Sequence, residues 1–217
     1  MIVDLNLQNK TIVVVGGGNE AQKRINSLLK QECKIIVISN KVTPNIIKLS
    51  KTKKIILKKQ KISDTKFISK LKPNLIITTT DDKKINQKII NDAKKKNILA
   101  YSSDNPDDSD FSNPAVIDFE NMIQIAIFTG GKSPIMSKKI KDRSEKLFKK
   151  IITKEDIAQI KIQKTARKIA KETIPTPEQR RECLRSIMSD NEIDQLIKDG
   201  QIKKAEKRAV TILRNWK

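Results

Sequence analysis

The first hundred residues alternate short β-branched runs with amphipathic stretches. Residues 11–15, Thr-Ile-Val-Val-Val, hold four apolar side chains in a row, the signature of a strand covered on both faces. Ala21, Ile25, Leu28 and Leu29 then fall at helical spacing, predicting a helix over 20–31 with one inward stripe. Further strands are predicted at 34–38, 54–57, 75–77 and 98–101, where Ile, Val and Leu cluster. A long helix over 83–96 turns Ile85, Ile89, Ile90 and Ala93 inward. Strands alternating with helices predict a parallel, doubly wound sheet with right-handed crossovers.

Past residue 103 the pattern changes. Residues 104–110, Asp-Asn-Pro-Asp-Asp-Ser-Asp, are polar and turn-forming with no apolar period. Two strand-like runs at 115–118 and 123–128 follow without room for a crossover helix. After a turn at 129–134 everything reads helical to the end, broken near 173–177 by Pro175 and Pro177. The fold class is therefore α/β. A Rossmann-like parallel-sheet domain is expected at 1–112, a small α+β element at 113–148 and a helical C-terminal domain at 149–217.

Composition narrows the chemistry. The 217 residues carry a net charge of +21, yet aromatic residues are only 3%. Lysines are spread along the whole chain, so solvated helix faces explain the charge better than a nucleic-acid surface with stacking platforms. A basic protein also attracts polyanionic small molecules. No run approaches the roughly 20 apolar residues of a membrane-spanning helix, and the first eight residues have no leader-peptide pattern. A cytoplasmic setting is expected. Cys33 and Cys183 stand far apart, which argues against a disulfide framework or a zinc ribbon. Histidine is absent, so imidazole triads and His metal clusters are excluded and no metal ligand is assigned. Carboxylates, hydroxyls, lysines or a bound cofactor must supply any chemistry.

The segment after the first strand has the form G-x-G-x-x-A: Gly16, Gly17, Gly18, Asn19, Glu20, Ala21. Gly16 permits the tight turn, Gly18 lets a pyrophosphate approach the backbone, and Ala21 allows helix and strand to pack closely. Phosphate would then meet free N–H groups at the positive end of the helix dipole. An acidic ribose partner would stand at the end of the second strand, but Ser39, Asn40 and Lys41 are there. Ser39 or Asn40 can still bond ribose hydroxyls, and Lys41 could favour a 2′-phosphate, so this position leaves NAD and NADP both open. Thr79, Thr80 and Asp81 close the fourth strand on the same rim and are assigned to the cofactor. Asp82 reads equally as a ligand contact or as the N-cap of the next helix.

Together with 9–18 (Asn-Lys-Thr-Ile-Val-Val-Val-Gly-Gly-Gly), Thr80-Asp81-Asp82, 104–111 (Asp-Asn-Pro-Asp-Asp-Ser-Asp-Phe), Pro114-Ala115 and 129–134 (Thr-Gly-Gly-Lys-Ser-Pro) occur in that order. This combination resembles the precorrin-2 dehydrogenase family, the N-terminal module of siroheme synthases, over roughly residues 1–150. The chain departs from it at Tyr101-Ser102-Ser103, where Asn-Val-Val is common, at Ser109, often Cys, and at Asn113, often aromatic.

The resemblance implies NAD-dependent oxidation of precorrin-2 to sirohydrochlorin by a homodimer, with 113–148 as its dimerisation element. It places the key acidic residue at Asp104 and substrate contacts at Gly130, Gly131, Lys132, Ser133 and Pro134. Chemistry agrees: the oxidation removes a hydride and a proton, so a nicotinamide and a carboxylate base suffice. The substrate's carboxylates suit a basic cleft, for which Lys138, Lys139 and Arg143 are further candidates. A bifunctional enzyme that also inserts ferrous iron and a non-catalytic nucleotide-sensing Rossmann module are the alternatives. A charge-driven nucleic-acid binder and a membrane protein are not expected.

Overall fold

The computed structural model describes residues 2–216. They divide into two units, one ending at Asn113 and the other starting at Pro114.

The first unit alternates β1 (Thr11–Val15), α1 (Asn19–Leu28), β2 (Lys34–Ile38), α2 (Pro44–Lys51), β3 (Ile56–Lys58), α3 (Lys66–Leu71), β4 (Leu75–Thr78), α4 (Lys83–Lys94) and β5 (Leu99–Ser102). The strands lie in the order β3-β2-β1-β4-β5, and every pairing is parallel. Successive residues of β1 serve opposite faces. Ile12 and Val14 join Ile25 of α1 and Ile46 of α2, while Val13 and Val15 join Phe67 of α3 and Ile89 and Ile90 of α4. Covering both faces explains why that strand is apolar at every central position, each such side chain contributing about 1.5–3 kcal/mol of burial.

The periodicity left α2 and α3 unread because each is short and buries few side chains, Ile46 in one and Phe67 with Ile68 in the other. A start signal for α2 is nevertheless present. Thr43 caps the Ile46 N–H and Pro44 occupies the first turn.

The second unit opens with an antiparallel pair, β6 (Ala115–Phe119) and β7 (Ile123–Ile127). Glu120 and Asn121 take φ of 51° and 56° at the connecting turn, the left-handed conformation that tight hairpins demand. Five helices follow among the described residues: α5 (Pro134–Ile151), α6 (Lys154–Thr173), α7 (Pro177–Met188), α8 (Asn191–Lys198) and α9 (Ile202–Arg214). The last four share a core in which Ala166, Ala170, Ala205 and Ala209 let helices approach while Ile162, Ile187 and Ile193 fill it. The starts of α6, α7 and α8 are capped by Thr153, Thr176 and Asp190. Cys33 and Cys183 are both free, and burial pushes each thiol above its ordinary range. No helix among the described residues is long and apolar enough to cross a membrane.

Candidate functional site

In the sheet order, β1 is the point where the chain reverses direction across the sheet, with β2 on one side and β4 on the other. Such a switch point opens a crevice beyond the carboxyl ends of the strands. Here the crevice encloses about 480 Å³. Gly16, Gly17, Gly18, Ser39, Asn40, Thr79, Thr80 and Asp81 all line it. Asn19 and Glu20 do not; the Glu20 carboxylate is engaged by Lys23 and Arg24 on its own helix. Burial pushes the Glu20 carboxyl up, but Arg24 and Lys23 outweigh it and leave it below the ordinary range. Arg24 also stacks 5.0 Å from the Tyr101 ring centre and donates to its hydroxyl, fixing α1 against β5.

The three glycines are not equivalent. Gly16 has φ of +117°, and a Cβ there would fall 2.3 Å from Thr79 Oγ1 and 2.9 Å from the Thr79 carbonyl oxygen. Thr79 in turn donates to the Val15 carbonyl at both its N–H and its hydroxyl. A Cβ on Gly17 would meet the Lys41 carbonyl oxygen at 2.3 Å, and the Gly17 carbonyl accepts from the Thr43 N–H at 2.9 Å. Gly16 and Gly17 therefore let β1 and β4, and β1 and the loop after β2, come together. Around Gly18 a Cβ would meet nothing within 4 Å. The open space lies where α1 begins, with its unpaired N–H groups, so this cradle fits a pyrophosphate.

Ser39 is partly committed, its hydroxyl donating to the Lys41 carbonyl at 2.6 Å. Lys41, Gln60 and Lys61 complete that end of the crevice. The 60–62 segment escaped sequence reasoning because it carries no motif, although it follows β3 onto the shared rim. Asp82 caps α4, its carboxylate accepting from the Ile85 N–H at 3.1 Å, and it also lines the crevice, so both roles stay open to it.

Asp104 stands just past β5, exposed and outside the crevice lining. Its Oδ1 accepts from the Ser102 hydroxyl at 2.5 Å and from Nδ2 of Asn86 at 2.9 Å. Asn86 lies on α4 and went unread in the sequence, since its neighbours mark that face as core. The loop behind Asp104 is stitched to β5. Asp110 accepts from the Ala100 N–H at 2.8 Å, and Ser109 Oγ accepts from the Ser102 N–H at 2.9 Å. A single 3-10 turn at Pro106–Asp108 closes it, with Asp108 accepting from Asn105.

In the second unit, Gly130 and Gly131 have φ of 65° and 76°, which explains the paired glycines of that turn. Lys132 stays exposed. Ser133 caps α5 by accepting from the Met136 N–H, and Pro134 occupies the first helical turn. No group of three or more acidic or cysteine side chains placed to hold a metal occurs among the described residues.

The comparisons with known proteins agree with this geometry. Siroheme synthase from Psychromonas ingrahamii is 29% identical over 201 residues, spanning 92% of this chain and 40% of that protein. Siroheme synthase from Ruthia magnifica is 32% identical over 143 residues, 65% of this chain and 29% of that one. The chain thus spans two fifths or less of the length of these curated relatives. The solved structure titled SirC, precorrin-2 dehydrogenase, superposes with a TM-score of 0.69 at 21% identity, covering 96% of this chain and 99% of the other, and shows the same fold. The family described as "Putative NAD(P)-binding" matches residues 3–115, the segment that builds the crevice. This chain belongs to that NAD(P)-binding family.

Proposed function

We propose that the chain is an NAD-dependent precorrin-2 dehydrogenase that yields sirohydrochlorin. The observation that carries this reading is the pairing, within one unit, of a glycine-lined crevice at the switch point with Asp104, whose Oδ1 is held by two donors. When bound, the nicotinamide accepts the hydride. The chain's residues do the rest. Gly18 and the start of α1 take the pyrophosphate, Ser39 and Asn40 the adenosine-side ribose, and Thr79, Thr80 and Asp81 the ribose nearer the reacting ring. Asp104 takes the proton lost as the macrocycle gains conjugation; its Oδ2 is left to receive it. The Gly130-Gly131-Lys132-Ser133-Pro134 turn serves the tetrapyrrole's carboxylates.

A homodimer in the cytoplasm belongs to the same reading, with residues 113–148 as the dimerisation element. Its support is the apolar surface left on α5, where Ile135 is 80% and Leu147 62% exposed.

The deciding experiment is an anaerobic assay with enzymatically generated precorrin-2, following NADH formation and the sirohydrochlorin spectrum. Turnover that depends on NAD is expected. Nucleotide binding without turnover would replace the enzyme by a nucleotide-sensing module.

A further inference from the structure

On α4 the helical stripe Ile85, Ile89, Ile90 and Ala93 packs into the sheet's core, and Asn86 is buried beside it at 1% exposure. A carboxamide there is costly unless its hydrogen bonds are made. They are made to two functional groups. One Nδ2 hydrogen goes to the Thr80 carbonyl at 2.8 Å and the other to Asp104 Oδ1 at 2.9 Å. The Thr80 hydroxyl donates to Asn86 Oδ1 at 2.6 Å. The opposite amide orientation would set Oδ1 against two acceptors, so chemistry fixes which end faces Asp104.

The second donor to Asp104 is equally constrained. Ser102 and Thr78 are buried at 2% and 0% exposure, with their hydroxyls 3.0 Å apart. Because Ser102 gives its proton to Asp104, Thr78 is the donor within that pair, the Ser102 hydroxyl lying closer to it than its other acceptor, the Tyr101 carbonyl at 3.5 Å. A short chain of hydroxyls thus ends on the same carboxylate oxygen, each bond polarising the next. Both donors fall on Oδ1, leaving Oδ2 without a hydrogen bond among the described residues.

We infer that Asn86 is a positioning residue: it holds the Asp104 carboxylate with one oxygen occupied and the other presented, and ties that orientation to Thr80 on the nucleotide rim. The inference rests on Asp104 serving as the base. Asn86 touches neither reacting atom; it acts through Asp104. The bonds to Thr80 place the nucleotide-side backbone and the base on one rigid amide, so the distance between them is set by α4 rather than by the loop after β5.

A double-mutant cycle tests this on the full chain, using Asn86→Leu, Asp104→Ala and the double variant. In the wild-type background, Asn86→Leu is expected to lower kcat with precorrin-2 and NAD about 10- to 100-fold, with KM for precorrin-2 within about 3-fold. In the Asp104→Ala background, the same substitution should change kcat less than about 2-fold. An equal loss in both backgrounds, or no loss in the first, overturns the assignment. Should Asn86→Leu fail to fold, Asn86→Asp, which keeps the shape but faces Asp104 with a second carboxylate, takes its place in the cycle.

The second readout needs no activity. The side-chain amide protons of Asn86, observed by NMR, should exchange slowly with solvent, and Asp104→Ala should shift them. Amide resonances indifferent to Asp104→Ala overturn the contact itself. Loss of turnover in the wild-type protein, with those resonances still responding, overturns the dehydrogenase reading instead.

Discussion

The two units make their cores in different ways. In the first, a parallel sheet is covered on both faces, so β1 buries Ile12, Val13, Val14 and Val15 completely. In the second, the antiparallel pair has no such double cover, and Val116 of β6 stays 38% exposed. Its last four helices instead meet through alanines that let their axes approach. The first unit spends its polar exceptions on the site: Thr78, Asn86 and Ser102 are buried and reach Asp104 directly or through one another. Among the described residues the second unit buries one polar side chain, Ser137, and spends its polarity on caps. Buried polar groups cluster where chemistry is proposed, and capping groups where helices need starts.

The largest effect expected on this contrast is on turnover. Asp104→Ala should cut kcat about 10²- to 10⁴-fold while leaving NAD binding near wild type, with a stability cost of no more than about 1–3 kcal/mol from the Asn86 and Ser102 donors left unpaired. Measured midpoints and nucleotide affinities check that the loss is chemical.

Next comes the helical core of the second unit. Ile162 is fully buried, so Ile162→Ala should cost about 2–5 kcal/mol. Trp216 packs against that same core and is the single tryptophan, so its fluorescence follows the second unit, and NAD titration follows the first. Loss of both together would merge the units into one cooperative body.

Within the first unit, the glycines separate fold from ligand. Gly16→Ala should destabilise by about 2–3 kcal/mol, from its positive φ and the Thr79 contact. Gly18→Val should leave the melting transition in place and weaken NAD binding, since only a ligand stands to be crowded there. Calorimetry with and without NAD distinguishes them.

The smallest effect concerns a cap. Burial pushes the Asp190 carboxyl up, but the Ile193 N–H and Arg208 guanidinium outweigh it and hold it below the ordinary carboxylate range. A depressed folded value means its contribution is present at neutral pH and is lost as pH falls through that value, below about 4. Asp190→Ala should therefore cost about 1 kcal/mol at pH 7, and the difference from wild type should shrink in acid. Urea titrations at the two pH values check the sign.

Much of this was legible in the residues alone. Continuous β-branched runs determined the buried parallel strands, because only doubly covered strands tolerate no polar position. The G-x-G-x-x-A spacing determined a turn between strand and helix open to phosphate, because the positive φ of Gly16 and its contact with Thr79 admit no side chain, while Gly18 leaves the space beside α1 clear. Asp104 stood out through the motif order around it. Tertiary structure decided what depends on distant neighbours. It made Gly17 a packing glycine, because Lys41 from beyond β2 approaches it. It turned Glu20 toward Arg24 instead of the crevice. Above all it gave Asn86 its place: in sequence it is one polar residue beside an apolar stripe, and only the pairing of β4 with β5 sets Thr80 and Asp104 within reach of the same amide.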